Sequence, residues 1–140
     1  GNVYLTDPDL QAIDVQHGGK YVTSVRTPGV NGHEAILKAA DNAAQQKQRF
    51  LGFYGVGAYK GHLPYQTANG DFQPAPGRSN KSEKYSAADL EENPTLAEMT
   101  AAALRVLDPH EKFWLLMEPG DVDWANHDNN IDNSIGSVLS

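Results

Sequence analysis

The sequence contains no cysteine. That excludes disulfides and thiolate metal ligands, and leaves oxygen and imidazole donors for any metal chemistry. No apolar run approaches the ~18 residues a membrane-spanning helix needs, so no membrane span is expected. Positive charge is scarce: 11 Lys and Arg stand against 18 Asp and Glu, a formal charge of -7. No nucleic-acid-binding partner is therefore expected, because phosphate neutralisation draws on clustered Lys and Arg. The opening residues, Gly1-Asn-Val-Tyr-Leu-Thr-Asp-Pro8, show no basic stretch leading into an apolar core, so no signal peptide is read. There is no Gly-x-Ser-x-Gly elbow. Gly55, Gly57 and Gly61 have the spacing Gly-x-Gly-x-x-x-Gly with no helix pattern after them, which is not the dinucleotide fingerprint.

What is present is a composition of 39% hydrophobic and 21% charged residues, the profile of one domain or part of one. Asn2 to Thr6 reads as a short strand closed by Asp7-Pro8-Asp9. Lys20 to Arg26 is β-rich and stops at Thr27-Pro28-Gly29, a turn signature. Ala35 to Gln48 carries Ile36, Leu37, Ala40 and Ala44 as a helical stripe, and Arg49 to Val56 returns to strand character. An irregular stretch at about 61–90, rich in Pro and Gly, predicts an insertion-like loop. It contains a possible glycosylation sequon at Asn80-Lys81-Ser82. Thr95 with Glu98 three residues later forms a capping box, opening a helix that runs to Leu107. Alternating strands and helices with short joints predict a layered α/β fold. Gly1 in place of a methionine, and Ser140 inside a helical pattern (Ile131, Ile135, Val138, Leu139), lead us to expect an internal piece of a larger domain.

The chain is organised around Lys112 to Asp128. Phe113 to Met117 has the length and composition of a buried strand, and Pro119-Gly120 breaks it. Glu118 would then sit at the carboxyl end of a strand, where open α/β sheets place ligands. If a helix follows Asp121, Asp123 and His127 stand one turn apart on the same face. A carboxylate and an imidazole so placed can grip zinc, whereas Glu118, an oxygen donor, suits magnesium. Acidic turns are also common as solvated caps, and both readings stand at this level. A calcium loop starting at Asp128 fails, because Asn133 replaces the required Gly and Leu139 the bidentate Glu. His17, His33, His62 and His110 lie near Gly or Pro and are expected at the surface or in loops, with His62 in a packing role.

Phe113-Trp-Leu-Leu-Met-Glu118-Pro-Gly-Asp-Val-Asp123-Trp-Ala-Asn-His127 resembles the strand and metal-binding turn of alkaline phosphatases. Asn93 to Thr100 resembles the helix before it, and Phe50 to Tyr54 with Gly61 to Tyr65 the strand and loop before that. The resemblance covers roughly the C-terminal two thirds of the chain. It implies an internal part (1–140) of a single alkaline phosphatase domain, with a central, mostly parallel sheet flanked by helices. It implies Glu118 as magnesium ligand, Asp123 and His127 as zinc ligands, and Trp124 beside the substrate phosphate. The activity implied is hydrolysis of small phosphate monoesters through a phosphoserine, in a periplasmic or extracellular homodimer. The family's nucleophilic Ser lies in an Asp-Ser-Ala context, which none of Ser24, Ser79, Ser82, Ser86, Ser134, Ser137 or Ser140 has. Nor does Thr67-Ala68-Asn69-Gly70 match its Thr-Ala-Asp-His zinc run. The segment alone is thus expected to lack the nucleophile and to be inactive. The alternatives are a phosphodiesterase of the same superfamily and a non-catalytic metal-binding or interaction domain.

Overall fold

A computed structural model of the chain describes residues 5–56, 62–73 and 84–139. The first element is a helix, α1 (Asp7–Ile13), where the sequence suggested a strand and a turn. Thr6 caps it: its side chain accepts from the Asp9 amide while the Asp9 carboxylate accepts from the Thr6 amide, and Pro8 lies in the first turn. The residues Thr-Asp-Pro-Asp are a helix start as well as a turn, and the local reciprocal bonds decide for the helix. Residues 2–4 of the expected strand, Gly57, Gly61 and the sequon at Asn80 lie outside the described residues.

After a single 3-10 turn (Val15–His17), β1 (Tyr21–Val25) leads through α2 (Gly32–Gln46) into β2 (Arg49–Phe53). The strands pair in parallel, Tyr21 opposite Arg49 and Val25 opposite Phe53. This βαβ unit is the α/β core, a two-stranded sheet among the described residues. The helix α3 (Ala87–Glu91) and the longer α4 (Leu96–Leu107) follow. The Thr95–Glu98 capping box opens α4 as the sequence predicts. Helices α2 and α4 pack together over the sheet, with Ile36, Ala40, Tyr54 and Ala102 at the centre of the core. Small residues let the helices approach, Ala40 and Ala102 being fully buried, and at the start of α2 a Cβ on Gly32 would lie 2.3 Å from the carbonyl oxygen of Glu92, just after α3.

The chain closes with two short helices, α5 (Gly120–His127) and α6 (Ile131–Leu139). The expected strand over Phe113 to Met117 does not form. The segment has no regular structure, and Trp114 is 79% and Leu116 70% exposed. An apolar run becomes a strand only where a neighbour takes up its backbone bonds and its side chains. Among the described residues the sheet holds β1 and β2 alone, and no strand flanks this run. One contact of the run with α4 is that of the Thr100 hydroxyl with the Met117 sulfur, 3.3 Å. Glu118 therefore follows an exposed irregular run, not the end of a strand.

Candidate metal site on helix α5

Helix α5 forms where the sequence places it, opening with Pro119 at its N-cap and no side-chain cap bond. Its first turn holds Asp121 and Asp123, and acids there are favoured by the helix dipole. Ala125, 2% exposed, faces the body, and that choice of face turns Asp123 and His127 outward. The helical pitch brings them together: Nε2 of His127 lies 3.5 Å from Oδ1 of Asp123. Both are open to solvent, with side chains 80% and 68% exposed. Asp123, Trp124, His127 and Asp128 line a shallow recess. A roomier cavity of about 710 Å³ lies between the ends of α2 and α4, where Arg49 begins β2. No Asp or Glu lines it; His110 is its one imidazole, and Lys47 and Arg49 give it positive charge.

Glu118 is not brought into the same cluster. It is exposed, and its carbonyl accepts from the Gly120 amide at 3.0 Å as the chain turns into α5. Among the described residues no group of three His, Cys, Asp or Glu is placed to hold a metal ion. The structure thus assembles the Asp123–His127 couple and leaves Glu118 apart from it.

What seats α5 is a contact that the sequence does not announce. The His62 side chain is 9% exposed, and its ring meets Trp124 edge to face at 5.2 Å and Tyr65 at 5.7 Å. Its Nδ1 lies 3.1 Å from the Leu63 carbonyl, to which it donates, and 3.9 Å from the Asp121 carboxylate. The His62 carbonyl accepts from the Val56 amide at 2.8 Å, which pins the residue to the chain leaving β2. The packing role expected of His62 is what the structure shows. Trp124, 53% exposed, keeps one edge on that ring.

Helix α6 braces α5 from behind. Asn129 takes a left-handed conformation (φ 53°) between the helices, and the Ser134 hydroxyl donates to Asn126 Oδ1 at 2.9 Å. The Asp132 carboxylate accepts from the Ala68 amide at 3.1 Å. A Cβ on Gly136 would lie 2.1 Å from the Gln66 carbonyl oxygen, so only glycine lets α6 rest on that loop.

At the carboxyl ends of β1 and β2 an ion network fixes the loops. Arg26 reaches Glu92 at 3.0 Å, Asp89 at 2.8 Å and the Gly55 carbonyl at 3.3 Å. Glu92 also accepts from the Gly29 amide, at 2.7 Å. The Gly29 amide first, then Arg26, hold the Glu92 carboxyl below its ordinary range. Burial pushes Asp89 up, but bonds from Ser86 and the charge of Arg26 outweigh it and leave its pKa lowered. Asn93, 1% exposed, accepts from the Gly55 amide at 2.8 Å and donates to the Asp89 carbonyl at 2.7 Å. Sequence reasoning passed over Arg26 because its acidic partners stand more than sixty residues away.

The seryl hydroxyls with described partners are engaged in structure. Ser24 bonds Tyr54, Ser86 bonds Asp89, Ser134 bonds Asn126 and Ser137 bonds the Asn133 carbonyl. Among the described residues no helix is long and apolar enough to cross a membrane.

Comparison with known proteins agrees with this picture at the level of family. No curated protein and no solved structure matched the chain. The family model described as "Alkaline phosphatase" matches residues 14–140, which span β1 to α6 and include the couple on α5. On that match, the chain belongs to the alkaline phosphatase family, a family of phosphatase hydrolases.

Proposed function

We propose that the chain is an internal part of a zinc- and magnesium-dependent phosphomonoesterase acting through a phosphoserine. In this reading Asp123 and His127 supply two ligands to one zinc ion, Glu118 binds magnesium, and Trp124 lies beside the phosphate. The observation that carries it is the couple itself: an acid and an imidazole at i and i+4, 3.5 Å apart and facing solvent, within a chain of this family.

The donor set fits zinc, which takes carboxylate oxygen and imidazole nitrogen in fourfold sites. Two ligands on one helical turn leave room for further donors and for substrate oxygen. A zinc ion so held would offset charge building on the phosphoryl group and on the oxygens entering and leaving it. The chain's own residues do the holding. Asp123 contributes negative charge, and His127 contributes a neutral lone pair only while its ring carries a single proton. Glu118, on the exposed run ahead of α5, would offer magnesium a carboxylate oxygen. The nucleophilic serine and the remaining ligands would come from other parts of the protein, so residues 1–140 alone would not hydrolyse phosphate esters. Small phosphate monoesters as substrates, homodimerisation and a periplasmic or extracellular location belong to the same proposal.

Zinc content and phosphate-ester hydrolysis of the intact protein test the reading. Asp123→Ala and His127→Ala should each deplete zinc and remove monoester hydrolysis, and Glu118→Gln should lower the response to magnesium. Unchanged zinc in both ligand variants would favour the non-catalytic interaction domain. Activity confined to diesters would favour the phosphodiesterase.

A further inference from the structure

We infer that His62 is a positioning residue for the Asp123–His127 couple, acting through Trp124 and Asp121; the inference rests on the metal reading of that couple. Helix α5 starts without a side-chain cap and carries its candidate ligands on the outward face, so its orientation must be set by contacts on its inner side. Ala125 is buried, α6 braces from behind, and one link towards the sheet runs through the His62 ring.

That ring is fixed at both ends. Its backbone carbonyl accepts from the Val56 amide at 2.8 Å, and its Nδ1 donates to the Leu63 carbonyl at 3.1 Å. The same Nδ1 faces Asp121 Oδ1 at 3.9 Å, in the first turn of α5, while the ring meets Trp124 at 5.2 Å in the next. Tyr65 closes the far side at 5.7 Å. One imidazole therefore touches α5 at positions 121 and 124, on either side of Asp123. Rotating α5 about its axis would break the Trp124 contact, and tilting it would separate Asp121 from Nδ1. Small misplacements of a ligand pair weaken metal binding far more than they weaken folding, because coordination distances tolerate only about 0.2 Å. Groups that orient metal ligands from outside the coordination shell typically change affinity about 10- to 100-fold when lost.

The experiment measures zinc affinity of the intact protein by chelator competition, with kcat read at saturating zinc. His62→Ala should weaken zinc binding about tenfold, and kcat should return to near wild type once the site is refilled. His62→Phe, which keeps the ring on Trp124 and Tyr65 but loses Nδ1 opposite Asp121, should fall between the wild type and His62→Ala. In a cycle with Trp124→Ala, the double variant should bind zinc about as well as the weaker single variant, the non-additivity expected of residues in contact. Wild-type zinc affinity in His62→Ala, or additive losses in the cycle, would overturn the positioning role. Neither result touches the metal reading, which fails separately if Asp123→Ala binds zinc as the wild type does.

Discussion

The His33 imidazole is held between two acceptors, the Glu98 carboxylate 2.6 Å from Nδ1 and the Leu90 carbonyl 3.1 Å from Nε2. Both ring nitrogens donate only in the imidazolium form, so the geometry selects the charged state. Burial works against that charge, but the bond and charge of Glu98, the Leu90 carbonyl and the nearby Glu91 outweigh it, and the His33 pKa is raised above 6.5. Glu98 feels burial the other way, yet the Thr95 amide and His33 leave its carboxyl below its ordinary 4.5. The contact ties the first turns of α2 and α4 and the end of α3 into one unit.

This contact predicts a pH window. A raised folded pKa means that the contribution of His33 is complete below 6.5 and fades as pH rises through the higher folded value. The contribution of Glu98 is present above 4.5 and fades as pH falls through its lower folded value. Urea unfolding should show His33→Ala losing about 1 kcal/mol near pH 6, a modest figure because both groups are partly solvated. The difference from wild type should shrink at pH 9. An equal deficit at both values would mean that packing, not charge, holds the contact.

Gly136 offers a steric test. Its substitution by Ala forces a methyl against the Gln66 backbone, which cannot swing away as a side chain can. A loss of about 1–3 kcal/mol is expected, together with faster amide exchange along α5 and α6. Unchanged exchange would show that α6 is not seated on that loop.

Asn93→Ala leaves the Gly55 amide and the Asp89 carbonyl without their buried partner. About 1–3 kcal/mol of stability should go with it. Asn93→Asp should recover the bond to Gly55 but not the donor to Asp89. An alanine variant as stable as wild type would move the anchoring of this edge to Arg26 alone.

Much of this architecture is legible locally, and the exceptions have a common cause. The Thr95–Glu98 box, the stripe of α2 and the i, i+4 couple on α5 are encoded within a few residues, so sequence and structure agree on them. The run from Phe113 to Met117 has the residues of a strand, but a strand also needs a neighbour, which its own composition cannot supply. Thr6-Asp7-Pro8-Asp9 suits a turn as well as a helix start, and the reciprocal cap decides between them. His33 looked like a loop histidine because Glu98 stands 65 residues away, and Arg26 was passed over for the same reason. His62 was expected to pack, but its contact with Trp124 joins two segments far apart in the chain.

Trp124 offers no positive charge where it flanks the couple. If it lies beside bound phosphate, Trp124→Lys in the intact protein should tighten inhibition by inorganic phosphate about two- to fivefold, the effect of one solvated ion pair, and slow product release. Equal inhibition constants would instead assign Trp124 to its contact with His62 alone.

The central claim, that Asp123 and His127 share a cation, is tested most directly by zinc-edge anomalous diffraction from crystals of the intact protein. The account predicts one peak about 2.0–2.2 Å from both an Asp123 oxygen and a His127 ring nitrogen. Crystals grown with zinc that show the two side chains ordered and apart, with no peak between them, would contradict it.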